Sequence, residues 1–167
     1  MNAEKEEIKT MYEIPIRTAL RYGSAYATSE NLEGIITFVP GKYGNIKIWN
    51  IIRSGALIPA LKLNKKYGKL MQGMSKILEE DKRNLNIEPY IYLNVIGVSQ
   101  KFQGKGLGSK LLKFLIEKAD AERKSIYLET ESEENVRWYE KFGFKVIKKF
   151  TLPDLNLPMW EMVRTSN

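Results

Sequence analysis

An apolar run, a glycine-rich loop and a helical run follow one another in the middle of this chain, and that order restricts the fold more than any other feature. Residues 88–98 read EPYIYLNVIGV, aromatic and β-branched with Pro89 near the start, which predicts a strand. Residues 100–112 read QKFQGKGLGSKLL, with glycines at 104, 106 and 108. Leu107, Leu111, Leu115 and Ala119 then recur every four positions, predicting an amphipathic helix from about Gly106 to Arg123. SIYLET (125–130) predicts a second strand. Strand, helix and strand in that order predict a right-handed crossover and a parallel pair between 91 and 130.

The flanking segments read less sharply. Residues 3–13 and 15–22 are helical in pattern, with Pro15 restarting the helix and Gly23 stopping it. SAYAT (24–28) and EGIITFVP (33–40) predict a hairpin closed by polar turn residues. Residues 46–83 read as mostly helical, with breaks near Ser54-Gly55 and at Pro59. SEENVRWYEKF predicts a short helix capped by Ser132 and stopped by Gly143, and 144–150 and 158–164 predict strands. A chain of 167 residues suits one domain. Within it, 1–87 (with the helical insertion 46–83) and 88–167 read as two halves.

Composition narrows the chemistry. The chain has no cysteine and no histidine, which removes thiolate chemistry, Ser-His-Asp triads and imidazole metal ligands. Acid–base work falls to Asp, Glu, Tyr, Lys or water. The net charge is +7, with a local cluster at Lys62, Lys65, Lys66, Lys69 and Lys76. Such an excess speaks first to solubility. The start of the chain is charged, unlike a signal peptide, and no apolar run reaches the roughly 18 residues of a membrane span. A cytoplasmic protein with neither nucleic acid nor membrane as partner is therefore expected.

Glycines before a helix commonly cradle phosphates, because the first-turn N–H groups lack helix partners and the positive end of the helix dipole lies there. The nucleoside-triphosphate loop fails here, since Ser109 stands where its second glycine belongs. The dinucleotide fingerprint is incomplete for the same reason, although Glu129 stands about where a ribose-binding acid would. Gln103-x-x-Gly106-x-Gly108 remains.

That pattern resembles the acetyl-CoA loop of the GNAT acetyltransferase superfamily. The likeness extends to Asn135, Tyr139, Gly143 and Phe144, which match the family's Asn-x-x-x-Tyr-x-x-x-Gly-Phe signature, and is strongest toward the puromycin N-acetyltransferase branch. The resemblance implies an α/β fold: a mixed, mostly antiparallel twisted sheet with one splayed parallel strand pair and flanking helices. The usual first strand and helix are expected to be missing, leaving an open sheet edge that a homodimer would cover.

Acetyl-CoA is the implied cosubstrate, with no metal, and the acceptor is an amine on a small molecule or a peptide N-terminus. By the same resemblance, main-chain donors of Gln103, Gly104, Lys105, Gly106, Leu107, Gly108 and Ser109 hold the phosphates, with side-chain help from Lys105 and Ser109. Backbone groups of Ile96 and Val98 hold the pantetheine amides, Gly97 allows a bulge there, Asn135 meets the pantetheine, and an N–H near Val98 serves the oxyanion. Tyr139, one turn after Asn135, is the expected acid at the sulfur. Glu129 or a water chain is the expected base. Trp138, Phe142 and Phe144 read as core or rim. A non-catalytic acyl-CoA-binding module on the same fold is the alternative.

Overall fold

In the computed structural model, residues 2–45, 47–62, 87, 89–152 and 156–166 are described. Helix α1 (Asn2–Tyr22) leads into the hairpin β1 (Ser24–Ala27) and β2 (Gly34–Pro40). Two six-residue helices follow, α2 (Ile48–Arg53) and α3 (Leu57–Lys62). Then come β3 (Tyr90–Val98), α4 (Leu107–Ala121), β4 (Ser125–Thr130), α5 (Glu133–Glu140), β5 (Lys145–Leu152) and β6 (Leu157–Arg164). The strands form one sheet in the order β1-β2-β3-β4-β6-β5, antiparallel except for β3 and β4.

The parallel pair splays. β3 and β4 are in register only over Tyr90–Tyr92 and Ser125–Tyr127, after which the strands continue to Val98 and Thr130 without pairing to each other. One face of the sheet is sealed by α4, whose Leu111, Leu112, Leu115 and Ala119 are all buried against Ile91, Leu93, Ile126 and Leu128. Four-residue spacing puts those α4 residues on one stripe, so burial follows from the sequence pattern. An ion pair anchors α4 to the far strand: Arg164 donates from Nη1 and Nη2 to the two carboxylate oxygens of Asp120, at 2.7 and 2.9 Å.

Three expectations need correction. Helix α1 runs through Pro15 rather than restarting there. Proline removes one N–H from the ladder, yet α1 lies across β1, β2 and β3, and this packing holds the helix continuous. The bulge sits at Asn94, not at Gly97: Phe38 pairs with Leu93 and Thr37 with Val95, leaving Asn94 as the extra residue. Pro59 does not break the 46–83 stretch, because it sits inside α3, whereas the expected break at Ser54-Gly55 is present between α2 and α3, with Gly55 at φ +72°. Residues 63–83 of that expected helical stretch lie outside the described residues. The hairpin, the Ser132 cap and the Gly143 stop (φ +84°) agree with expectation.

The bulge has a geometric consequence. Side chains alternate along a strand, so Ile91 and Leu93 face α4 while Tyr90, Tyr92 and Asn94 face α1. Asn94 Nδ2 donates to the Pro15 carbonyl of α1 at 3.5 Å. The extra residue reverses the alternation, and Ile96 returns to the α4 side, where it packs against the core. Without the bulge, Ile96 and Val98 would point the other way.

Candidate active site

Where β3 parts from β4, a cleft of about 470 Å³ opens. Its walls are Ile96, Gly97 and Val98 at the end of β3, the loop and first turn of α4, and Asn135, Trp138 and Tyr139 on α5. The volume falls within the usual range of small-molecule sites. The loop begins with a 3-10 turn (Gln100–Phe102) and enters α4 through Gly106 at φ +76°. Gly104 is also left-handed, at φ +75°. A Cβ at either position would meet no protein atom within 4 Å, so the glycines meet a conformational need and leave open space rather than relieve a clash. No side chain caps α4, and its first turn carries no acidic residue. The Lys110 N–H makes the first intrahelical bond, to Gly106 O at 3.0 Å, leaving the preceding N–H groups available to an anion.

Gln103 is turned back onto β3, its Nε2 donating to the Val98 carbonyl at 3.3 Å. Ser109 and Leu107 line the cleft. Lys105 does not, its ammonium lying 5.0 Å from the centre of the Phe102 ring. On α5, the Ser132 hydroxyl accepts from the Asn135 N–H (3.4 Å). The Asn135 side chain donates to Thr130 Oγ1 (3.2 Å), which holds its amide plane at the rim. Tyr139 is buried, its ring stacked edge-on to Trp138 at 4.9 Å and tilted against Phe144 at 5.4 Å. Burial first, and the Glu131 carboxylate second, push its phenol above the ordinary tyrosine range, so it stays protonated at neutral pH.

Glu129 lies outside this cleft. Odd-numbered residues of β4 face the α1 side, and there Tyr92 donates to Glu129 Oε2 at 2.6 Å. Next to it, Tyr127 donates to Glu161 Oε2 at 2.8 Å, and Glu129 and Glu161 are direct cross-strand partners. Both phenols are pushed upward, by burial first and by these carboxylates second, and remain donors. Tyr139 and Glu129 therefore flank the splay from opposite faces of the sheet.

Trp138 and Phe102 are cleft residues that sequence reasoning did not assign to a site. Spacing was a usable signal for Trp138, since residues 135, 138 and 139 share one helical face. Tyr92 gave no such signal, because its partner is 37 residues away.

Residues 65–146 match the family described as "Acetyltransferase (GNAT) domain". Over that stretch, just under half of the chain, the sequence is similar to a GNAT acetyltransferase domain. Solved structures give the same architecture over nearly the whole chain. It is similar to a mosquito arylalkylamine N-acetyltransferase-like protein (TM-score 0.65, 16% identity, 89% of this chain and 79% of that one). It is similar to a Drosophila melanogaster polyamine N-acetyltransferase (TM-score 0.64, 14% identity, 89% and 77%). It is also similar to a Corynebacterium glutamicum structure described as histone acetyltransferase HPA2 and related acetyltransferase (TM-score 0.60, 19% identity, 96% and 75%). Identities this low establish the GNAT-like fold and no more. Among curated proteins, a probable serine/threonine-protein kinase of Dictyostelium discoideum is 29% identical over 110 residues, 64% of this chain. The chain spans only 11% of that protein's length. Among the described residues, no helix is long and apolar enough to cross a membrane.

Proposed function

We propose that this GNAT-like domain transfers the acetyl group of acetyl-CoA to a primary amine by direct attack within a ternary complex. The observation that carries the reading is the uncapped N-terminus of α4, opening through Gly104 and Gly106 into a cleft whose far wall bears Asn135 and Tyr139. Main-chain donors of Gln103–Ser109 receive the coenzyme's phosphates, and the edge of β3 that has parted from β4, at the half-buried Ile96 and Val98, offers backbone groups to the pantetheine arm. The Val98 carbonyl is shared with Gln103, so binding exchanges one long hydrogen bond for another.

The neutral amine nitrogen attacks the thioester carbon. A C–N bond forms, and the carbonyl π pair moves to oxygen. As the intermediate collapses, the C–S bond breaks and sulfur leaves with the pair, accepting the Tyr139 proton. The ammonium proton goes to Glu129 or to water on the α1 side, and Tyr92 orients the Glu129 carboxylate. Acid and base on opposite faces of the splay suit a donor entering over α4 and an acceptor entering from α1. Holding amine and thioester together supplies much of the acceleration before any proton transfer is counted.

The test is a free-thiol release screen with acetyl-CoA against small amines, polyamines and peptide N-termini, with Gly106→Glu as control. Turnover with one class, abolished in Gly106→Glu along with coenzyme A binding, supports the reading. Tight coenzyme A binding without turnover on any amine replaces it with a binding module.

A further inference from the structure

The basic excess is not spread evenly along the chain. Residues 34–78 contain eight lysines and arginines and not one aspartate or glutamate. Within that stretch, α2 and α3 lean on α1 and turn their apolar side chains outward. Ile48, Trp49, Ile52, Leu57, Ile58 and Leu61 are all exposed, Trp49 to 69%, Ile58 to 67% and Leu61 to 76%. Helix α2 buries no residue at all, and α3 only Pro59. Scattered apolar residues on a surface need no explanation, but six large ones on two adjoining helices mark a contact site.

We propose that the α2–α3 face docks onto an anionic lipid surface. Lys47 precedes α2, Arg53 ends it and Lys62 ends α3, so cationic heads border the apolar face with no acidic residue among them. Long basic stems let those heads stay at headgroup level while Trp49, Ile58 and Leu61 enter the acyl boundary. Tryptophan, branched aliphatics and lysine together are the composition of an interfacial segment, whereas the core of a protein–protein interface is depleted in lysine. A surface contact needs no spanning helix, so this revises the expectation that no membrane is a partner.

The test mixes the full chain with vesicles rich in phosphatidylserine and with vesicles of pure phosphatidylcholine, and measures co-flotation and tryptophan emission. The expected result is partitioning at least tenfold stronger onto the anionic vesicles, weakened by salt, with an emission blue shift that Trp49→Phe abolishes. Ile58→Ser with Leu61→Ser should lower partitioning by at least tenfold. Lys47→Glu with Lys62→Glu should lower it by about fivefold or more per residue. Circular dichroism and coenzyme A binding of each variant report whether the fold is kept, and the wild-type emission shift and salt dependence decide the matter even where a variant fails to fold. Absence of flotation, equal binding to neutral vesicles, or undiminished binding of the Ile58→Ser/Leu61→Ser protein overturns the proposal. So does self-association that the same pair of substitutions abolishes without any vesicle binding.

Discussion

Replacing Tyr139 with phenylalanine isolates one oxygen atom. The ring is 6% exposed and keeps its contacts with Trp138 and Phe144, both within 5.4 Å of centroid separation. Among the described residues its hydroxyl has no hydrogen-bond partner, so no buried group is orphaned by the change. Stability should therefore move by no more than about 0.5 kcal/mol, the usual range for a substitution that breaks no packing or hydrogen bond. The rate should respond quite differently. Loss of a positioned general acid costs about 10²–10⁴-fold, or roughly 3–5 kcal/mol in the barrier. The assay is thiol release from acetyl-CoA at saturating acceptor, beside a thermal melt and a coenzyme A binding isotherm. A fall in kcat with unchanged melting and unchanged coenzyme affinity matches the role given to Tyr139. A kcat within about threefold of wild type would refute it, because phenylalanine cannot donate a proton and the ring is held in place.

Glu129→Gln should reduce kcat/KM by about 10²-fold or more if the carboxylate takes the amine proton, with Tyr92→Phe costing less because it removes only the 2.6 Å hydrogen bond that orients it; steady-state kinetics on both variants check this, and two near-wild-type values assign the proton to water. Asp120→Ala leaves the Arg164 guanidinium, only 10% exposed at the side chain, without its bidentate partner. The expected loss is about 2–4 kcal/mol, read as a melting point lower by roughly 5–12 °C. Tyr92, Tyr127 and Tyr139 all carry phenols pushed above their ordinary range, so above about pH 10 the folded state holds protons that the unfolded state has lost. Stability should be level below that pH and fall beyond it, by at most about 1.4 kcal/mol per pH unit for each phenol; urea midpoints taken from neutral to strongly alkaline pH measure the slope.

The elements around the cleft were readable because their signals are local. The α4 stripe, the Ser132 cap and the left-handed glycines depend on residues a few positions apart, and the chain folds them as that spacing requires. The α1 break was misread because proline propensity is local while the continuity of α1 comes from the sheet beneath it. The bulge was misplaced for a related reason. Glycine advertises flexibility at 97, but the extra residue falls at Asn94, where pairing with β2 and contact with the Pro15 carbonyl together set the register.

By itself, then, the sequence determined the crossover, the glycine entry into α4 and the helical face shared by Asn135 and Tyr139, since periodicity and backbone freedom are properties of short stretches. Tertiary structure decided which side of the sheet each group occupies. The reversed alternation after Asn94 turns Ile96 toward α4, the splay opens the cleft beside Tyr139, and Glu129 is carried to the opposite face into the hands of Tyr92. Those outcomes depend on strand register and on partners dozens of residues apart, and no local pattern encodes them.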